Sequence, residues 1–204
     1  TIGDNFAYEI GFGNLPGSVL SDGSELIVPS QVTLMVDEGA IFKLKEAQFT
    51  IGSTDLSRDL SAGAVQILGT PDLDVILTSY QDENVGVDTD PLVTTPSPGD
   101  WGGIQIRNDL DRSENRFTWD QQGIFLNYVN HADFSYGGGK MRVNGVPNSD
   151  GPIVNPIRLN EAQPTISFNT IRLSSDAAIS ADPNSFRELN FHSPTFQRND
   201  AFTS

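Results

Sequence analysis

Short runs of alternating apolar residues, closed by tight corners, recur along this 204-residue chain, with almost no helical periodicity between them. "VTLMV" (32–36) is followed by "DEG" and then "AIFKL" (40–44). "GAVQILG" (63–69) leads through "TPDL" into "DVILTS" (74–79). Further on come "GGIQIRN" (102–108), "GIFLNYV" (123–129), "ADFSY" (132–136), "NPIRLN" (155–160) and "TISFNTIRL" (165–173). One like-for-like step, from "GGIQI" at 102 to "QGIFL" at 122, measures 20 residues. Other steps are longer, and the excess lies in three inserts, "GSTDLSRDLSA" (52–62), "YQDENVGVDTDPLVTTPSPGD" (80–100) and "GGGKMRVNGVPNSDG" (137–151). A unit of about twenty residues holding two or three short strands marks a β-solenoid. At roughly 3.3 Å per residue, such a unit makes a coil of about three short sides, each inward residue stacking on its counterpart one coil away.

A hairpin sandwich is the competing architecture. It uses two-residue Asn-Gly or Asp-Gly turns between matched strands. Only Asp22-Gly23 and Asn144-Gly145 come close, and only the second sits between clear strands. The best helical candidate is "DPNSFRELN", where Asp182 can cap and Pro183 suits the first helical position. It is long enough for one or two turns.

Nineteen glycines and twelve prolines fit a turn-rich all-β chain. Twenty-seven acidic residues against twelve basic give a net charge of −15. No Lys/Arg run exists to neutralise phosphates, so nucleic acid is an unfavourable partner, as is an anionic membrane surface. No apolar run approaches the roughly 18 residues of a membrane span. The absence of cysteine excludes disulfides and thiolate metal sites. The chain opens at Thr1 without an initiator Met or signal-peptide pattern, and it is expected to be processed or cut from something longer.

"VTLMVDEGAIFKL", "GAVQILGTPDLDVILTSYQD", "PGDWGGIQIRN" and "LNEAQPTISFNTI" together resemble right-handed parallel β-helix segments of very large bacterial cell-surface or secreted proteins, of the pectate-lyase-like group. The resemblance covers about residues 25–175 and implies an all-β, right-handed parallel β-helix with loop inserts and little helix. It leaves residues 1–24 as an N-terminal cap or first coil and 176–204 as a C-terminal tail leading out of the solenoid. It also implies a secreted or cell-surface location.

The stretch "SPGDWGGIQIRN" (97–108) has two readings. As a corner, Gly99, Gly102 and Gly103 let the backbone re-enter the coil sharply, Trp101 covers the apolar stack, and Asp100 caps turn N–H groups. As a site, Trp101 is a sugar-stacking platform and Asp100 an acid. The corner is the expectation. Trp101, Trp119 and Tyr128 are the candidate glycan contacts. For metal, Asp82, Asn84, Asp88 and Asp90 put hard oxygen ligands in one loop, a set that can wrap Ca²⁺, though the spacing does not match an EF-hand and a solvated acidic loop is the plainer reading. Asp109 and Asp111 form a weaker second candidate. Arg107 and Arg112 lie near acidic turns, where lyases of the wider group carry a base; surface ion pairing is the expected role. His131 and His192 stand alone, as hydrogen-bonded strand or turn residues rather than metal ligands. The glycines of "GGGKMRVNG" read as a flexible lead into a small hairpin, and Asn127, Asn160 and Asn169 as coil-corner caps.

No G-x-S-x-G, HExxH or P-loop is present. The expected function is a non-enzymatic structural or adhesive module of a larger extracellular protein. Its partners would be further coils of the same parent or other copies of itself. The alternatives are a carbohydrate-binding module, or a polysaccharide lyase or hydrolase.

Overall fold

Where no insert interrupts it, the chain circles the axis in 22 or 23 residues: Leu26 pairs with Phe49, and Ile157 with Ile179. The computed structural model describes residues 5–11, 14–15, 18–19, 25–87, 93–141 and 152–186. The strands are β1 (Tyr8–Ile10), β2 (Asn14–Leu15), β3 (Ser18–Val19), β4 (Glu25–Ile27), β5 (Thr33–Asp37), β6 (Ile41–Leu44), β7 (Gln48–Ile51), β8 (Ala64–Leu68), β9 (Val75–Ser79), β10 (Ile104–Arg107), β11 (Tyr128–Asn130), β12 (Ala132–Ser135), β13 (Ile157–Asn160), β14 (Thr165–Ser167), β15 (Thr170–Arg172) and β16 (Ile179–Ala181). Apart from the antiparallel β2–β3 pair, every pairing between strands is parallel. The first face is β4-β7-β10-β13-β16, the second β5-β8-β11-β14 and the third β1-β6-β9-β12-β15. Each turn of the chain visits the three faces in that order. The protein is an all-β parallel β-helix. Among the described residues no helix is long and apolar enough to cross a membrane.

The alternation in the sequence becomes rows running along the axis. On the first face Leu26, Phe49, Ile104, Ile157 and Ile179 stack in register. On the second the row is Val36, Ile67, Val129 and Ile166. On the third it is Tyr8, Phe42, Leu77, Phe134 and Ile171. Phe49, Ile104, Ile67, Val129, Leu77 and Phe134 are wholly buried, and burying each such side chain is worth about 1.5–3 kcal/mol. Pairing extends past 25–175 at both ends, to β1 and to β16.

In the last two coils the corner between the second and third faces is tight, and its residues stack from coil to coil. His131 and Phe168 occupy it in left-handed conformations (φ 49° and 55°), their rings stacked at 5.0 Å. His131 is a corner residue, as expected; His192 lies outside the described residues. The caps are partly as expected. Asn169 accepts from Ala132 N at 2.9 Å and donates to Val129 O at 2.7 Å, and Asn127 Oδ1 accepts from Val65 N at 2.9 Å. Asn160 does not cap: its Oδ1 is buried with no hydrogen-bond partner.

The inserts leave the coil at the other two corners. This overturns the 20-residue step read from 102 to 122. "GGIQI" stacks on "QFTI" of β7 and "IRLN" of β13, while residues 123–127 carry no strand. Between β10 and β11 the chain makes the helix α1 (Asp109–Ser113) and a 3-10 turn (Trp119–Gln122) instead. The C-terminal helical expectation holds as a 3-10 turn at Pro183–Phe186. Asp182 Oδ1 caps it, accepting from Asn184 N at 2.7 Å and Ser185 N at 3.0 Å.

The stretch 97–108 is a corner. Trp101 is wholly buried, donates Nε1–H to Ser135 O at 2.8 Å and stacks on Phe134. Asp100 Oδ2 accepts from Ser97 N at 2.9 Å and Ser79 Oγ at 2.6 Å. Gly99 takes the positive φ (89°) that the turn demands. The other two glycines serve a different purpose. A Cβ on Gly103 would sit 1.8 Å from Asn155 O of the next coil, so the residue is bare because two backbones meet there. The 137–139 glycines are likewise buried and packed rather than a flexible lead: a Cβ on Gly139 would meet Gly99 O at 1.8 Å. An isolated antiparallel bridge joins Lys140 to Ile153; residues 142–151, Asn144-Gly145 among them, lie outside the described residues.

Candidate functional site

Acids and arginines collect at the corner between the first and second faces, where α1 leaves the coil. Asp111 is buried (1 % exposed) and accepts from Ser53 Oγ at 2.5 Å and Ser53 N at 3.1 Å, with Arg116 3.7 Å away. Arg107 Nε donates to Asp109 at 2.8 Å. Arg112 reaches Glu161 of the next coil at 3.4 Å. Both arginines singled out in the sequence are therefore ion-paired, and Asp109 and Asp111 hold protein donors.

Asp120, like Asp111, is 1 % exposed. Its Oδ2 accepts from Asn108 Nδ2 at 2.8 Å and Gln163 N at 2.9 Å, bracing the excursion against the following coil. Burial pushes its carboxyl above the ordinary value, and the Gln163 N–H, Arg112 and Asn108 offset only part of that rise. Three buried side-chain atoms near this excursion and the β13 end, Arg112 Nε, Thr118 Oγ1 and Asn160 Oδ1, have no protein partner. Among the described residues no group of three or more His, Asp or Glu is placed to hold a metal ion.

The acidic loop places Asp82 in a structural role. It is 5 % exposed; Oδ2 accepts from Thr78 Oγ1 at 2.8 Å and Oδ1 from Asn84 N at 3.2 Å. Its oxygens thus serve as an Asx-turn brace. Asn84 is exposed, and Asp88 and Asp90 lie outside the described residues.

The three candidate glycan contacts separate. Trp101 is withdrawn from the surface altogether, because the corner closes over it, and it offers no face to a sugar ring. Trp119 and Tyr128 keep part-exposed rings on the same excursion. Trp119 donates Nε1–H to Ala62 O at 2.8 Å and packs edge-to-face on Phe117 at 5.0 Å. Tyr128 opens β11 and pairs with Gln66, which pairs in turn with Met35. Phe117, Ile124 and Phe125 project from the excursion at 44 %, 41 % and 39 % exposure.

Sequence reasoning passed over Phe117, Phe125 and Gln66. The signal available was the run "FTWDQQGIFLNY" (117–128), which has a single charge in a chain of net −15. That one charge, Asp120, turns inward.

No protein-family model, no curated protein and no solved structure matches the chain.

Proposed function

We propose that this chain is a non-enzymatic structural or adhesive β-helix module, a rigid rod segment of a larger extracellular or cell-surface protein. The observation that supports it is how the apolar rows finish. The inward rows run unbroken through the stack and arrive part-exposed on its last coil. Ile166 and Ile171 are half-buried and Ile179 is 45 % exposed, on strands β14, β15 and β16 that each pair on one side only among the described residues. A coil buries such a row only against a neighbour. This end is the surface that a further coil covers, from the same parent or from a second copy. The finer kinship with pectate-lyase-like segments belongs to the same proposal and rests on the sequence motifs alone.

The test is light scattering over a concentration series. Mass is expected to rise with concentration, and Ile171→Lys with Ile179→Lys to abolish the rise. A strict monomer at every concentration, with a melting temperature indifferent to both substitutions, overturns the stacking surface.

A further inference from the structure

One outward row of the second face differs from the rest of this acidic molecule. Met35, Gln66, Tyr128 and Thr165 form one row in register across its four strands. Adjacent members stand about 4.8 Å apart, the spacing of paired strands. Asn130 and Ser167 lie two residues on, in a second outward row that also holds Leu68 and the exposed acid Asp37. The Met35–Thr165 row offers hydroxyls, an amide, a ring and a thioether, all uncharged and at least part-exposed. Beside them rises the 117–128 excursion, anchored next to β8 through the Trp119–Ala62 bond. Its exposed rings, Phe117 and Phe125, are likewise uncharged, and its one acid is buried.

We propose that the second face and this aromatic ridge together bind a neutral polysaccharide. The chemistry selects that occupant. Sugar rings present apolar C–H faces to aromatic side chains and hydroxyls to amides and hydroxyls, and this surface supplies both kinds of partner side by side. Its polar groups repeat along the axis, as a polymer's do. Charge removes the acidic glycans: a chain of net −15 repels a polyanion, and the face carries no arginine or lysine among the residues of the row to receive a carboxylate. The uncharged Met35–Thr165 row thus matches an uncharged polymer, and Asp37 on the neighbouring row is a further repulsion for an acidic one. The surface is separate from the coil-stacking end, so failure of one leaves the other standing.

The experiment is affinity electrophoresis of the intact chain through gels containing xylan, hydroxyethyl cellulose, galactomannan or polygalacturonate. At least one neutral polymer is expected to retard migration, and polygalacturonate is not. Phe125→Ala and Tyr128→Ala are each expected to weaken retardation about tenfold, with melting temperatures close to the parent's. Phe125 lies in a segment without regular structure, which keeps one variant readable if Tyr128→Ala disturbs β11. Trp119 is left intact, since its ring and N–H anchor the ridge. Absence of retardation by every neutral polymer overturns the proposal. So does equal retardation by polygalacturonate, or retardation unchanged in both variants.

Discussion

Replacing Trp101 by alanine tests the corner assignment most directly. The indole is wholly buried, stacks 6.4 Å from the Phe134 ring and satisfies the Ser135 carbonyl through a 2.8 Å hydrogen bond. Truncation removes apolar contact, leaves a cavity where third-face and first-face rows converge, and orphans a buried carbonyl. The expected loss is about 3–5 kcal/mol, the range for large buried aromatics. Trp101→Phe separates the contributions: most of the ring remains while the N–H is lost, so about 1–3 kcal/mol is expected from the unpaired carbonyl. For a chain of this size each 1 kcal/mol moves the melting temperature by roughly 2–4 °C, placing Trp101→Ala about 6–20 °C below the parent. Urea and thermal unfolding followed by circular dichroism read both variants, and Trp119 remains as a fluorescent reporter. A Trp101→Ala protein within about 1 kcal/mol of the parent refutes the buried corner. Loss of polysaccharide retardation at unchanged stability would return Trp101 to the surface role.

Asp120→Asn isolates the pH dependence of the acid-rich corner. Burial raises this carboxyl in the folded chain, so as pH climbs from its ordinary value of 3.8 the unfolded chain ionises first and folding stability falls. An amide oxygen in place of Oδ2 keeps the Asn108 and Gln163 bonds without the charge. The variant is expected to gain in urea midpoint relative to the parent between pH 4 and pH 7, and a difference constant with pH refutes the desolvation argument. Calcium is tested by chelation. With the Asp82 oxygens already accepting from Thr78 and Asn84, a site at this loop would rest chiefly on Asp88 and Asp90, weak for a cation that takes six to eight oxygens. Excess chelator is expected to leave the melting temperature within about a degree; a fall of several degrees would establish a site that stabilises the native state.

The sequence alone determined what is local. Alternation set which side chains face the core of each short strand, and Gly, Pro and Asn set the corners, because both follow from backbone geometry within a few residues. That was enough for an all-β solenoid, for the Asp100 and Asp182 caps and for the Trp101 cover. Which strand lies on which was decided only by the fold. "GGIQI" and "QGIFL" look alike twenty residues apart, yet Ile104 stacks on Phe49 and Ile157, because inserts carry dozens of residues out of the coil without changing its register. Local similarity does not record such a detour. The same holds for the two tryptophans: each follows a turn and precedes a strand, but one is sealed under a closing corner and the other stands part-exposed on an excursion. Gly103 shows the physical reason. Its missing side chain answers a backbone oxygen 1.8 Å from where a Cβ would be, on Asn155 more than fifty residues away, and contact at that range exists only once the coils have stacked.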